Sequence, residues 1–73
     1  MTFKERRNQL QRIHSLVKMK ATGTPVELAN KLAVSESSVY RRIQFLKEEI
    51  GAPILFDRDR GSYVYEGEFE LIL

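Results

Sequence analysis

Residues Thr24 to Lys47 read TPVELANKLAVSESSVYRRIQFLK, and this stretch predicts two helices set against each other by a tight turn. Thr24 supplies an N-cap oxygen. Pro25 takes the first helical position, where its missing N–H leaves no bond unmade, and Glu27 stands where a capping box needs it. Leu28, Ala29 and Leu32 then recur at helical spacing, with Ala29 small where another helix must approach. Ala33-Val34-Ser35 interrupts the pattern and is too short for a flexible linker. Ser35 caps the second helix by accepting from the backbone N–H of Ser37 or Ser38, and Val39, Ile43, Leu46 and Ile50 recur along it at steps of four, three and four. At about 100° per residue the opposite face carries Ser37, Arg41, Gln44 and Glu48, flanked by Tyr40 and Lys47 on one side and by Ser38, Arg42 and Phe45 on the other. One face is core, and the other presents groups able to touch a nucleic acid.

The chain that follows predicts a β-ribbon. Gly51 stands where a left-handed helix cap is needed and Pro53 prevents continuation, after which Ile54-Leu55-Phe56-Asp57 reads as a strand. Arg58-Asp59-Arg60-Gly61 is a polar turn, and Ser62-Tyr63-Val64-Tyr65 returns as a second strand rich in aromatic and β-branched residues. Upstream, Thr2 and Glu5 form a second capping box for a helix from Phe3 to about Lys20, with Leu10, Ile13, Val17 and Ala21 on one stripe and Leu16 at its edge. Ala21-Thr22-Gly23 is the loop between this helix and Thr24. The expected architecture is mainly α with a small β-hairpin: a helix-turn-helix within a three-helix bundle, followed by a two-stranded wing.

These residues resemble the winged helix-turn-helix domains at the N-termini of bacterial regulators of the DeoR, WYL-domain and biotin-repressor types. The resemblance runs over roughly residues 10 to 65. It rests on Leu28-Ala29, Leu32, Val34-Ser35, Val39, Arg41-Arg42-Ile43 and Leu46 in the paired helices, and on Gly51 to Ile54, Gly61 and Tyr63 in the wing. Two positions depart from the family pattern. Ala33 stands where a glycine is usual in the turn, and Ser62 replaces the second glycine of a common wing Gly-Gly-Tyr. Ala33 therefore either accepts backbone strain or adopts a different turn geometry. The resemblance implies DNA binding in transcription regulation. The 73 residues hold no counterpart of the family's ligand-binding or catalytic domain, which makes a partner protein carrying a sensor domain an expected partner.

Composition narrows the function classes. There is no cysteine, hence no disulfide framework, thiolate metal site or thiol nucleophile. The one histidine, His14, lies beside the apolar stripe of the first helix and reads as a packing residue rather than a metal ligand. No set of nucleophile, base and orienting residue is visible and no phosphate-binding glycine loop is present, so an enzyme is not expected, nor a cofactor. The N-terminal residues lead into no apolar segment long enough for a signal peptide or membrane span, and a cytoplasmic protein without membrane contact is expected. The net charge of +2 is unevenly spread. Residues 1–60 hold all 12 basic residues against 7 acidic ones, a balance of +5, whereas residues 61–73 hold no basic and 3 acidic residues, a balance of −3.

Sequence-specific binding to double-stranded DNA is thus the leading expectation, with a recognition helix over about residues 35–49 in the major groove. Ser37, Ser38, Tyr40, Arg41 and Gln44 are the expected base-reading residues; Arg41 and Gln44 suit bidentate pairing with guanine and adenine edges. Thr24, Ser35, Arg42 and Lys47 are expected to position the domain on phosphates, and Arg58 and Arg60 to contact the backbone or minor groove from the wing. A protein-interaction or dimerisation module without DNA readout is the alternative, favoured by the modest charge and by Glu48 on the reading face. Phe45, far from the apolar stripe, is expected to meet the wing strands or a second subunit.

Residues 1–66 constitute the expected domain and residues 67–73 an acidic and apolar tail. Phe69, Leu71 and Leu73 alternate in it as in a half-buried strand, folding back on the first helix or forming an interface between subunits. A chain this short builds a core worth about 3–5 kcal/mol at most, and a homodimer would add to it.

Overall fold

The capping residues set where each helix begins. In a computed structural model that describes residues 2–72, helix α1 spans Phe3–Lys18 and helix α2 spans Pro25–Leu32. Both carry complete capping boxes: the hydroxyls of Thr2 and Thr24 accept from the backbone N–H of Glu5 and Glu27, and those carboxylates accept from the threonine N–H groups in return. Helix α3 spans Glu36–Phe45 and is capped by Ser35, whose Oγ accepts from the N–H of Ser38 at 3.2 Å. The expected helix is reproduced with one change, because Leu46–Ile50 forms a π-helical turn. Its cause is the chain exit: Gly51 at φ 80° donates to the Leu46 carbonyl, and Ala52 donates to the same oxygen at 2.8 Å. The wider turn leaves Leu46 fully buried and Ile50 packed at the core's edge.

Strands β1, Ile54–Asp57, and β2, Ser62–Tyr65, pair antiparallel with Ile54 opposite Tyr65 and Asp57 opposite Ser62. Asp57 closes the hairpin, its Oδ1 accepting from the N–H groups of Asp59 and Arg60 at 3.0 and 3.2 Å. Phe56 and Tyr63, cross-strand partners, meet edge to face with ring centroids 5.1 Å apart.

The three apolar stripes converge on one core. Leu10, Ile13 and Val17 from α1 meet Leu28, Ala29 and Leu32 from α2 and Val39 and Ile43 from α3, closed by Leu46, Ala52, Ile54 and Tyr63. Burial of this set, at about 25 cal/mol per Å² of apolar surface, is the main favourable contribution to the fold. No helix is long and apolar enough to cross a membrane among the described residues.

Two expectations are corrected. The alternating tail does not form a strand: from Glu66 to Ile72 the chain is irregular, because Gly67, at φ 87°, turns it off the line of β2. Phe69 and Leu71 instead pack half-buried against the core, while Leu73 lies outside the described residues. Phe45 meets α1 rather than the wing, sharing a surface groove with Phe3, Arg6, Arg7 and Leu10.

The turn between α2 and α3 settles the question raised by Ala33, which sits at φ 56°, ψ 44°, in the left-handed region. Its strain is held in place by the Val34 N–H bond to the Ala29 carbonyl at 3.0 Å and by the Ser35 cap that follows. Ala33→Gly is expected to raise stability by about 0.5–1 kcal/mol, a few degrees in melting temperature, because glycine adopts this conformation without the Cβ penalty. Ala29→Gly, inside α2, should move the melting temperature the other way. A second expectation concerns acid. The Glu27 carboxyl is held below its ordinary value of 4.5, first by the Thr24 backbone N–H and then by the Thr24 hydroxyl. A depressed folded-state pKa contributes stability above the unfolded value, which is lost as pH falls through the folded one. Thermal melts across the acid limb should therefore show a flatter pH dependence for Glu27→Gln than for the parent.

Candidate nucleic-acid interface

The outer face of α3 and of the turn that follows it, Leu46–Ile50, presents a row of exposed polar side chains on a rigid support. Because Val39, Ile43 and Leu46 point inward, Ser37, Tyr40, Arg41, Gln44, Lys47 and Glu48 are all exposed on the other side, with Ser38 half-buried at the margin. Ordering is already present along this face. Arg41 donates from Nη2 to Ser38 Oγ at 3.2 Å, Gln44 from Nε2 to Glu48 Oε1 at 3.0 Å, and Tyr40 from its hydroxyl to Glu36 Oε1 at 3.0 Å. The Glu36 carboxylate raises the Tyr40 phenol pKa, since the bond it accepts requires the proton to stay. Ser35 Oγ also lies 3.2 Å from Ser37 Oγ and 3.0 Å from Ser38 Oγ, so the start of α3 is a cluster of hydroxyls beside the helix's positive end.

The expected site residues divide by place. Ser37, Ser38, Tyr40, Arg41, Gln44 and Lys47 share one surface. Thr24 and Ser35, both exposed, mark the N-termini of α2 and α3. Arg42 lies apart, half-buried, its Nε 3.4 Å from Gln9 Oε1 on α1. In the wing, Arg60 pairs with Asp57 through Nε at 3.4 Å, whereas Arg58 is exposed and has no ion-pair partner among the described residues. Between α3 and β2 runs an open groove of about 370 Å³ lined by Tyr40, Ile43, Gln44, Lys47, Glu48 and Tyr63.

Two features escaped the sequence reading. Glu48, which the sequence had placed on this face, and Glu36 both accept hydrogen bonds from its side chains, so the face alternates in sign. More important is a buried hydroxyl pair. Thr22, fully buried in the loop between α1 and α2, donates its backbone N–H to Ser62 Oγ at 3.0 Å, and the two hydroxyl oxygens are 2.9 Å apart. Ser62 Oγ donates to its neighbour's carbonyl at 2.9 Å, and the Tyr63 N–H donates to Thr22 Oγ1 at 2.8 Å. This knot fixes the wing to the loop that launches α2. Ser62 was visible as a departure from the usual wing glycine, but nothing in the spacing of the chain pairs residue 62 with residue 22.

A helix-turn-helix whose second helix is followed by a pinned two-stranded ribbon is a winged helix. The family model described as an HTH domain matches residues 6–63, and the chain belongs to that family, of the winged type, a family of DNA-binding domains. No curated protein and no solved structure matches the chain.

Thr22→Val keeps the shape of residue 22 but leaves the Tyr63 N–H without its acceptor in the interior. A loss of about 1–3 kcal/mol in chemical denaturation is expected. Hydrogen exchange at Tyr63 should quicken more than at Ile13 in the α1 core, as befits a lesion at the wing's root.

Proposed function

We propose that this domain binds double-stranded DNA sequence-specifically as a small transcription regulator of the cytoplasm, with α3 in the major groove and α2 across the backbone. The observation that carries this reading is the exposed face of α3, where Arg41 and Gln44 project from a helix anchored on its other side by three buried apolar residues, Val39, Ile43 and Leu46. Arg41 exchanges its bond to Ser38 for a guanine edge, and Gln44 exchanges Glu48 for an adenine edge. Arg41 keeps a charge-assisted bond in this exchange, whereas Gln44 gives up a bond to a carboxylate for the two neutral bonds of an adenine edge, so a wrong base leaves a polar group unpaired and costs affinity. Ser37, Ser38 and Tyr40 reach bases or adjacent phosphates from the same surface. Thr24, Ser35 and Lys47 position the domain on phosphates, with Arg42 contributing from the α1 side and Arg58 from the wing more readily than Arg60, which Asp57 holds.

One observation favours a second reading, a protein-docking module: Glu36 and Glu48 place negative charge on the face that would meet phosphates. The two readings separate in a selection from a random duplex pool at two salt concentrations. Enrichment of one motif supports DNA readout, and none at either salt would exclude it.

Arg41→Ala should weaken binding to the selected site by about 1–3 kcal/mol and relax preference at one base pair. Lys47→Ala should weaken all sequences alike and lower the slope of log affinity against log salt by about one unit. Titrations of matched and mismatched duplexes across salt check both, and equal behaviour of the two variants would remove the division between reading and positioning residues.

A further inference from the structure

Tyr63 carries a polar group that the fold does not use. The residue is 7% exposed, its backbone N–H is spent on Thr22 and its ring packs edge to face on Phe56, yet its hydroxyl has no hydrogen-bond partner among the described residues. No side-chain oxygen or nitrogen there is both buried and unpaired, so this hydroxyl reaches the surface. The surface that Tyr63 lines is the groove of about 370 Å³ between α3 and β2. Burial, followed by the nearby Tyr40 and Glu36 of α3, raises the phenol's pKa and keeps its proton in place to be donated. A nearly buried donor left open on a groove is a place for a ligand atom.

The rest of the groove defines the ligand. Tyr40, steadied by its hydroxyl's bond to Glu36 at 3.0 Å, and Ile43 add ring and aliphatic surface suited to a flat heterocycle. Glu48 accepts from Gln44 Nε2 at 3.0 Å through Oε1, and since a carboxylate offers about four lone-pair positions it has room for further donors. Lys47 brings an ammonium group without an ion-pair partner among the described residues. Among the common nucleobases guanine alone sets two N–H donors side by side on its pairing edge, where one carboxylate accepts both. Adenine, cytosine and uracil place an acceptor beside the donor, and a carboxylate repels it. We propose that this groove binds a free guanine nucleotide, its base against Tyr40, Ile43 and Tyr63, its paired N–H groups on Glu48, a base or ribose oxygen on the Tyr63 hydroxyl and its phosphate on Lys47. The volume lies in the range of a small-molecule site. A single strand fits less well, since it needs a succession of stacking rings along a basic track. Gln44 and Lys47 belong to this groove and to the proposed duplex face alike, so nucleotide and duplex exclude each other and the nucleotide acts as a release signal.

Nucleotide binding does not rest on the DNA reading; only the mutual exclusion does. In nitrogen–proton correlation NMR of the full chain, guanosine monophosphate should shift the Tyr63, Gln44 and Glu48 amide signals saturably. It should bind about tenfold or more tightly than adenosine monophosphate, the margin expected of charge-assisted bonds that adenine does not make. Glu48→Gln should erase that preference. Lys47→Ala should weaken both nucleotides several-fold while leaving guanosine unchanged. Tyr63→Phe, which removes only the unpaired hydroxyl, should weaken guanosine monophosphate several-fold with an unchanged melting curve. Equal affinity for the two nucleotides overturns the proposal, as does saturation of the same signals by inorganic phosphate alone, or a guanine-containing single strand that binds where the free nucleotide does not. A duplex selected from the random pool should be displaced by guanosine monophosphate and not by adenosine monophosphate. Nucleotide bound beside an undisturbed duplex would remove the mutual exclusion, whereas absence of any duplex binding would count against the DNA reading alone.

Discussion

The short turn between α2 and α3 is the constraint on which the rest of the structure depends. Three residues must end one helix, reverse the chain and start another, and they do so with Ala33 in a left-handed conformation, the Val34 N–H returned to Ala29, and Ser35 capping at once. Nothing in that turn is free to swing. The angle between α2 and α3 is therefore set locally, and the apolar faces that Leu28, Ala29 and Leu32 share with Val39 and Ile43 have one way to meet. A residue that accepts unfavourable backbone geometry there is held by two helices whose packing would be lost if it relaxed.

From this angle the exposed face of α3 follows. Once Val39, Ile43 and Leu46 are turned inward, the phase of α3 leaves Arg41, Gln44 and Lys47 outward, and side-chain bonds along the helix limit how far those groups wander. The wing is positioned by a different device, the buried exchange between Thr22 and Ser62, which works because every polar atom in it finds a partner and no unsatisfied side-chain donor or acceptor is buried among the described residues. Helix and wing are thus fixed independently, one by apolar phase and one by hydrogen bonds.

The tail illustrates how environment replaces pattern. Its alternation of acidic and apolar residues is that of a strand, yet β2 ends at Tyr65 and Gly67 redirects the chain, so the segment is held by side chains: Phe69 on Tyr65 and His14, Glu70 on Lys18. The Tyr65 phenol, raised to about 12 by burial and then by the Glu70 charge, stays protonated beside His14 Nδ1 at 2.7 Å. His14 is accordingly a packing and hydrogen-bonding residue of the core margin, as its place beside the α1 stripe suggested.

What the sequence determined by itself was everything governed by local stereochemistry and periodicity. Threonine, serine and proline at the helix starts, glycine after the turn that extends α3, and steps of three and four between apolar residues act over one or two turns, so the helices, both strands, the hairpin and the outward face of α3 were legible from Thr24, Ser35, Gly51 and their neighbours. The tertiary structure alone decided what depends on residues distant in the chain. The partnership of Thr22 with Ser62, the bond between Arg42 and Gln9, the turning of Phe45 toward α1 and the mooring of Glu70 on Lys18 each join segments more than thirty residues apart. Side-chain hydrogen bonds and ion pairs have no period, and their partners are chosen by where the packed core brings the chain back upon itself.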